Sequence, residues 1–348
     1  MMNHAWFGGL LGDPQCADIL SPASELARYR AIEVAWVLAQ ADVGVADPET
    51  CALLARHIET CQIPDVLLKA GVMADGVPVP AFVRALKKGA PDHGQDLLHI
   101  GLTSQDVMDT ALVLALSRLF DIYRSRLSAL ATTLEALREQ NAGRSLMGYT
   151  RMQAALPITA EARITTWVRP LHGYIDDLDH IADKLAVLQW GGPVGLRQTS
   201  KADVLGPAFA KRLGLRDPGF AWHTTRADLA ELGSFVARLT GTFGKMGQDI
   251  ALMAQRGSSD VVLASGGTSS AMPHKQNPIL AEFLVTVAHH TAQQSTLLNV
   301  AMVHEQERSG TAWMLEMMTL HDLLQLCGVA LRTSQSLVGQ ITTIGSDP

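Results

Sequence analysis

Cysteine is scarce in this sequence, and its spacing excludes several kinds of site. The four cysteines, Cys16, Cys51, Cys61 and Cys327, lie far apart in a chain of 348 residues. Because no Cys-x-x-Cys pair or Cys/His cluster has the spacing of zinc ligands, we expect no metal site. We predict four buried, reduced thiols in a cytoplasmic protein.

Long apolar runs and runs of basic charge are also absent. No stretch of about 18 apolar residues occurs, which predicts no membrane span. The start of the chain lacks the charged and apolar regions of a signal peptide. The formal net charge is -6 without a Lys/Arg run, so nucleic acid is not an expected partner.

Long helical periodicity is what the sequence does contain. Apolar residues alternately three and four apart run from Leu229 to Met253, and similar series cover Leu171–Leu188 and Leu112–Leu137. This spacing predicts long helices in a left-handed bundle. Less regular patterns predict helices at 279–303 and 311–338, and strand alternation of useful length is absent. The predicted fold class is all-α.

Four glycines lie within the helix predicted over Leu229–Met253, at Gly233, Gly241, Gly244 and Gly247. Each glycine in a helix interior costs about 0.5–1 kcal/mol relative to alanine. A close approach by another helix would account for that cost. Long helices also need partners for more than one face, which predicts an oligomer.

The first 100 residues have a different pattern from the rest. They contain shorter predicted helices at Ala23–Asp42 and Pro48–Cys61 and a Pro/Gly-rich stretch at Gly71–Pro80. We predict a small N-terminal helical domain over residues 1–100 and a central domain of long bundled helices over residues 101–348.

The segment Arg256–Pro278, RGSSDVVLASGGTSSAMPHKQNP, is the most informative part of the chain. It separates two predicted helices and is too long and polar for a simple connection. It offers two possible hinge glycines, three hydroxyls, a cation and an amide, at Gly266, Gly267, Thr268, Ser269, Ser270, Lys275 and Asn277. This composition is typical of a lid that closes over an anion, but it fits a flexible surface loop equally well.

Three segments resemble the fumarase/aspartase superfamily, which includes argininosuccinate and adenylosuccinate lyases and bacterial 3-carboxy-cis,cis-muconate cycloisomerases. Ser269–Pro278 (SSAMPHKQNP) is similar to the family signature. His99–Asp106 (HIGLTSQD) resembles its HxGxTSxD segment, and Gly148–Pro157 (GYTRMQAALP) resembles its TxxQxAxP segment. Taken alone, the last two segments read as a capping turn and as a polar helix start.

The resemblance implies an architecture and a shared site. In the family, a small N-terminal domain, a bundle of long helices and a small C-terminal domain form a homotetramer. The three segments meet there, each from a different subunit. Relatives usually continue beyond the point where this chain stops at residue 348. The C-terminal domain is therefore expected to be missing or rudimentary.

The resemblance also implies roles for individual residues. Ser269 lies six residues before Lys275, as the family's catalytic serine does, and is the expected proton-transfer group, with Ser270 as the alternative. Lys275 and Asn277 complete the expected catalytic set. The expected substrate-binding residues are His99, Thr103, Ser104, Gln105, Thr150, Arg151, Gln153, Ser270, Met272, His223 and Arg308.

Two departures from the lyases favour the cycloisomerase branch. Arg151 stands where the lyases carry a histidine, and Gly76–Pro80 stands where purine- and arginine-handling lyases carry His-Asp. The stretches Gln189–Gly195, Trp222–Thr224 and His304–Arg308 also resemble that branch. The resemblance thus implies a 3-carboxy-cis,cis-muconate cycloisomerase of aromatic-compound degradation that acts on a small tricarboxylate without a cofactor.

The chemistry of lactonisation fits these residue types. A carboxylate oxygen adds across a C=C bond and a proton reaches the carbon α to another carboxylate, through a state with extra negative charge. Cations and amides stabilise such a state, and the arginine fork can bind a carboxylate through two hydrogen bonds. The alternatives are a fumarate-releasing lyase, such as adenylosuccinate lyase, and a non-catalytic homologue. His223 and Arg308 also have structural interpretations.

Overall fold

The structure is a computed structural model that describes residues 4–92, 94–255, 260–272 and 274–347. Its helices are α1 (Gly8–Leu11), α2 (Pro14–Ile19), α3 (Pro22–Asp42), α4 (Pro48–Thr60), α5 (Asp65–Asp75), α6 (Val79–Lys88), α7 (Ser104–Gln140), α8 (Ala160–Leu185), α9 (Ala202–Arg212), α10 (Ala227–Met253), α11 (Ile279–Val300) and α12 (Thr311–Gly339). Its short strands are β1 (Ser145–Thr150), β2 (Gln153–Thr159), β3 (Val261–Leu263), β4 (Gly267–Thr268), β5 (Gln276–Asn277) and β6 (Ile341–Ile344).

The five predicted long helices are present as α7, α8, α10, α11 and α12, and the all-α class is confirmed. The largest difference in bounds concerns α8. It begins at Ala160, where the side chain of Thr159 accepts a hydrogen bond from the Ala162 N–H, and it ends at Leu185. A side-chain cap of this kind satisfies a backbone donor that the helix itself leaves free.

Helices α3 and α4 begin with the same local device. Ser21 and Asp47 each accept a hydrogen bond from the backbone N–H three residues ahead, and a proline follows each cap. Proline suits the first helical position because its fixed φ is helical and its missing N–H would have no partner there. These sequence signals set both helix starts within one residue of the expected positions.

Apolar side chains form two cores. The larger lies inside the bundle of α7, α8, α10, α11 and α12. The smaller joins α3, α4 and α6 to the start of α7, and it also contains Trp190 and the α9 residues Leu205 and Phe209. The domain boundary near residue 100 and the rudimentary C-terminal domain stay predictions.

Three of the four α10 glycines confirm the predicted close approach of helices. A Cβ added at Gly233, Gly244 or Gly247 would lie 2.6, 2.5 and 2.5 Å from atoms of Leu298, Ala288 and Ala281 in α11. Gly241 differs, because a Cβ there would meet nothing within 4 Å. The glycines therefore let α10 and α11 pack with their backbones close together.

The bundle has two distant ends. Since α7 has 37 residues, its termini lie about 55 Å apart. We call the end where α7 begins the Gln105 end. There the Gln105 side chain donates a hydrogen bond to the backbone carbonyl of His223. We call the end where α7 stops the hairpin end. There the Ile344 N–H donates to the Asn141 side chain, and Ser145 forms a β-bridge with Ser346.

All four cysteines are free, as predicted, but they are not all buried. Cys16, Cys51 and Cys327 are buried, whereas Cys61 is half-buried at the end of α4. Burial raises the pKa of the Cys16 thiol to about 12, with a smaller contribution from the Asp13 carboxylate. That thiol is therefore held protonated and unreactive.

Within the described ranges, one helix has the length and composition of a membrane span. This is α12, and 67% of its most apolar window is buried inside the protein. A core helix of a bundle has the same composition, because it is apolar on most of its surface.

Candidate active site

Asp106 fastens three segments together at the Gln105 end. Its carboxylate accepts hydrogen bonds from the backbone N–H groups of Thr103, Gly191 and Gly192, each at 2.9 Å. It also binds His223 Nε2 at 2.7 Å. Four hydrogen-bond partners satisfy the buried Asp106 carboxylate. Thr103 is the N-cap of α7 and forms a capping box with Asp106, so the segment is indeed a capping turn.

Gln105 links His223 to Arg308. Its buried side-chain amide donates to the His223 carbonyl at 2.9 Å, and its oxygen accepts from Arg308 Nε at 3.3 Å. Arg308 Nη2 also donates to the Gly192 carbonyl at 3.3 Å. Among the described ion pairs none joins Arg308 to Glu305 or Glu307, so its charge is available to an anion.

His223, which is predicted to bind substrate, is buried inside the protein. Its Nε2 already binds Asp106. Its Nδ1 is also buried and has no hydrogen-bond partner among the described residues. Substrate contact by His223 stays a prediction, and any such contact would have to be made by Nδ1. Within the chain, His223 holds its own segment against Asp106 of α7.

The turn that precedes α7 has strained backbone at His99. This residue has φ of 59°, in the left-handed region that a non-glycine side chain rarely adopts. Its backbone N–H and Nδ1 contact the two oxygens of Glu33, at 3.1 and 2.6 Å. The half-buried Thr103 and Ser104 follow, at the end of α7 where backbone N–H groups favour an anion.

A buried charge network lies beside this end. Arg226 donates to Asp109 at 2.7 and 3.0 Å and to Glu316. The ring of Trp222 stacks 4.9 Å from the guanidinium carbon. Burial raises the pKa of Glu316, although Arg226 opposes that shift. Sequence reasoning missed this network, and the available signal was two acidic residues at otherwise apolar helix positions.

Thr150, Arg151 and Gln153 lie on a β-hairpin, so the interpretation of their segment as a helix start is wrong. Strands β1 and β2 pair antiparallel, with Thr150 opposite Gln153. The two turn residues, Arg151 and Met152, have φ of 48° and 65°. Such a turn suits a tight hairpin but normally uses Asn and Gly. Arg151 thus projects, exposed, from the hairpin tip.

Ser269 sits in a short loop closed by a pair of two-residue strands. Gly267 pairs with Asn277 and Thr268 with Gln276, so the loop runs between β4 and β5. The half-buried Ser269 hydroxyl oxygen accepts from the N–H groups of Ala271 and Met272, at 3.3 and 3.1 Å. Ser270 is exposed, and the described residues place no such donors on it.

The predicted hinge glycines have a packing role. A Cβ at Gly267 would lie 2.1 Å from Ile279, and one at Gly266 would lie 3.0 Å from Gln276. A side chain at Gly267 would therefore force the end of the Ile279 side chain to move, and lid movement stays a prediction. The lid residues 256–259 and 273 lie outside the described residues.

A cleft of about 790 Å³ opens beside the Ser269 loop. Met272, Lys275 and Asn277 line it together with Gln248 of α10 and Glu282 of α11. The volume suits a small polar molecule. No group of three or more metal-ligating side chains occurs in the described parts of the chain.

The predicted site residues divide between the two ends of the bundle. His99, Thr103, Ser104, Gln105, His223 and Arg308 come together at the Gln105 end. Ser269, Ser270, Met272, Lys275, Asn277, Thr150, Arg151 and Gln153 lie toward the hairpin end. Helix α10 connects His223 to the Ser269 segment and has 27 residues, a length of about 40 Å. The two groups therefore do not meet within one chain.

Comparison with known proteins gives consistent matches. The sequence profile of a lyase family matches residues 79–291. The chain is 31% identical to a 3-carboxy-cis,cis-muconate cycloisomerase of Acinetobacter baylyi over 96% of this chain and 76% of that protein. It is 30% identical to trans-aconitate decarboxylase 1 of Mycosarcoma maydis over 87% of this chain and 63% of that protein.

A solved structure agrees in both fold and sequence. The crystal structure of the 3-carboxy-cis,cis-muconate lactonizing enzyme from Pseudomonas putida superposes with a TM-score of 0.91 and 31% identity. The match covers 98% of this chain and 77% of that one. The chain thus spans between 63% and 77% of the length of these relatives.

Proposed function

The chain belongs to the lyase family of the fumarase/aspartase superfamily, and on that basis we propose that it is a 3-carboxy-cis,cis-muconate cycloisomerase. The observation that carries the proposal is the environment of Ser269. Its oxygen accepts hydrogen bonds from two backbone N–H groups, in a loop whose residues Met272 and Lys275 line a cleft. Donors aimed at a hydroxyl oxygen stabilise the alkoxide, which makes the group a better acid.

In the proposed reaction, Ser269 moves the proton. During lactonisation a substrate carboxylate oxygen forms a C–O bond to the diene, and the Ser269 hydroxyl gives its proton to the carbon α to another carboxylate. In reverse the alkoxide removes that proton while the C–O bond breaks. Lys275 and Asn277 stabilise the charge that develops on the carboxylate.

Three cations among the predicted site residues support a tricarboxylate substrate. Arg308, Arg151 and Lys275 each bring one cation from a different part of the chain. Arg308 has its guanidinium oriented by Gln105 and Gly192. Three cations in one site would neutralise three carboxylates, which are costly to move out of water otherwise.

We propose a homotetramer in which subunits share each site. The separation of the two ends supports this, since Gln105 and Ser269 cannot act together within one chain. Exposed apolar side chains support it too, because large exposed apolar surfaces mark interfaces. Met152 and Leu156 of the hairpin are each 73% exposed, and Met318 of α12 is 71% exposed.

Two other activities can be separated from the proposed one. The similarity to a trans-aconitate decarboxylase suggests a different tricarboxylate for the same three cations. A fumarate-releasing lyase is disfavoured, because Arg151 stands at the hairpin tip where those enzymes carry a histidine. The cytoplasmic location, the absence of a cofactor and the two domains belong to the same proposal.

Substrate consumption by the purified protein tests the proposal. Without added metal or nucleotide, 3-carboxy-cis,cis-muconate should lose its conjugated diene absorbance. Release of CO₂ from trans-aconitate, or of fumarate from adenylosuccinate, would replace the proposed activity by one of the other two. No reaction with any of the three substrates would indicate a non-catalytic homologue.

Ser269→Ala should lower kcat by about 10²-fold or more, because a proton-transfer group is typically worth 10²–10⁴-fold. Circular dichroism and light scattering should show an unchanged fold and assembly. Ser270→Ala is the comparison variant and should lower kcat much less, since Ser270 is expected to bind substrate and not to move the proton. If the two variants behaved the other way round, the proton-transfer role would pass to Ser270.

A further inference from the structure

Glu33 is a fully buried carboxylate that contacts the site only through His99 among the described hydrogen bonds. It lies on α3, in the apolar sequence AIEVAWVLA, and its side chain has no exposed surface. One oxygen accepts the His99 backbone N–H and the other contacts His99 Nδ1. A buried carboxylate without such partners would be strongly destabilising.

The same face of α3 also holds the rest of the turn. Gln40, two helical turns beyond Glu33, donates to the Leu97 carbonyl at 3.2 Å. Between them Trp36 packs against Trp190, whose indole N–H donates to the Gly101 carbonyl at 3.2 Å. The turn is therefore tethered on both sides of His99 without Glu33, so the carboxylate has a task specific to His99.

That task follows from counting donors and acceptors. Both Glu33 oxygens face nitrogen atoms, and a carboxylate can accept from both at once. His99 Nδ1 must then carry the proton that it donates to Glu33. The ring orientation is fixed as a result, and Nε2 is the ring nitrogen that Glu33 leaves free on this half-buried side chain.

We infer that Glu33 is a positioning residue, which fixes the Nδ1–H form of His99 and presents His99 Nε2 to a substrate carboxylate or to a proton in transit. The inference rests on the proposed substrate-binding role of His99. The left-handed backbone of His99 serves the same positioning, because it lets the Glu33 carboxylate hold both the backbone N–H and the ring of His99.

Glu33→Gln is the sharpest probe, because an amide has one acceptor and one donor end. Its oxygen can keep the His99 backbone N–H, but its NH₂ group then faces Nδ1. Nδ1 can accept that hydrogen bond only if the ring proton moves to Nε2. The substitution thus keeps the shape and volume of the side chain but moves the His99 ring proton from Nδ1 to Nε2. Loss of the partner that orients a metal-bound histidine costs about 10–100-fold in activity, and we expect a loss of the same order here.

A double-mutant cycle tests whether Glu33 acts through His99. Glu33→Gln should lower kcat/KM by about 10–100-fold in the natural chain, and by less than about twofold in a chain that already carries His99→Asn. Asparagine is chosen because it tolerates the left-handed backbone. Equal losses in both backgrounds would overturn the inference. Glu25→Gln is the matched control on the same helix, where Glu25 accepts from Tyr29, and should leave kcat/KM unchanged.

A chemical readout that does not need turnover separates this inference from the proposed function. Diethyl pyrocarbonate modifies an unprotonated imidazole nitrogen, and peptide mapping resolves the rate at His99. That rate should fall in Glu33→Gln, whose Nε2 carries a proton, relative to the exposed His172 in the same sample. An unchanged His99 rate would overturn the inference. If the His99 rate fell in the variant but the natural protein did not consume 3-carboxy-cis,cis-muconate, the positioning role of Glu33 would stand and the proposed cycloisomerase activity would be wrong.

Discussion

Three buried carboxylates, on Glu33, Asp106 and Asp109, hold the Gln105 end together. Each binds groups from a different part of the chain: His99, the 191–192 turn with His223, and Arg226. A buried charge that loses its partner costs far more than an exposed one. These carboxylates thus fix the geometry of the Gln105 end through contacts within the chain.

Arg151→Met should raise KM and lower kcat/KM by about 10–150-fold. The reason is the loss of one charge-assisted pair with a substrate carboxylate, worth about 1.5–3 kcal/mol. Arg151 forms no ion pair within the described chain, and its left-handed backbone holds it at the hairpin tip. Steady-state kinetics of the assembled enzyme measures both constants.

Arg151→Lys is the control, because lysine keeps the charge but not the fork, and it should restore only part of the loss. A fall in kcat with an unchanged KM would instead assign Arg151 to the charge that develops in the transition state. Normal kinetics in tetramers of reduced stability would remove Arg151 from the site and make it an interface residue.

His304 should make stability depend on pH. Both of its ring nitrogens are buried and lack hydrogen-bond partners among the described residues. Burial, and then the nearby Arg226 cation, lower the pKa of His304 below its ordinary value. The unfolded chain therefore binds the proton more readily, and stability should fall as pH drops from about 6.5 toward the lowered pKa.

Thermal unfolding of the natural protein and of His304→Leu measures this effect. The natural protein should lose more of its Tm between about pH 7.5 and pH 5.5 than the variant does, because leucine cannot bind the proton. Parallel losses in both proteins would show that His304 does not titrate in this range.

At the scale of elements, the contact between α10 and α11 depends on glycine. Gly247→Ala should lower the free energy of unfolding by about 1–3 kcal/mol, as overpacking does. Its Cβ would lie 2.5 Å from the Ala281 carbonyl oxygen, a backbone atom that cannot move without shifting α11. Chemical denaturation measures the change.

Gly241→Ala is the matched control on the same helix. A Cβ added at Gly241 would meet only open space within the chain. The better helix propensity of alanine should therefore raise the free energy of unfolding by about 0.5–1 kcal/mol. Equal destabilisation by the two alanines would contradict the packing argument. Loss of assembly in Gly241→Ala alone would place Gly241 against another subunit.

The whole molecule should show complementation between inactive subunits. Ser269→Ala removes a group near the hairpin end, and Arg308→Met removes one at the Gln105 end. If each site takes these groups from different subunits, mixed tetramers contain sites with both natural residues. In a random equal mixture, about a quarter of the sites are intact, because each group is natural with a probability of about one half.

Activity of variants that are mixed, unfolded and refolded together measures this fraction. Each variant refolded alone should stay inactive, and a mixture of separately folded tetramers is the control for simple addition. No recovery of activity in true mixed tetramers would show that one subunit supplies both residues, which the length of α10 disfavours.

The sequence by itself determined the long helices and the family. Helical periodicity reports which face of a helix is buried, and that is a local property, so α7, α10 and α12 could be predicted from it. The family segments identified the residues whose roles stay predictions. The hairpin escaped prediction because its turn, Arg151-Met152, carries no turn signal and because β2 is exposed on both faces over most of its length.

Only the tertiary structure decided which charges are paired and which segments meet. Glu33 is 66 residues from His99, and Asp106 is 117 residues from His223, so no local pattern could pair them. The same holds for the separation of Gln105 from Ser269, which depends on the length and placement of α10. Burial of a charge demands a partner, but only the path of the chain determines which partner is within reach.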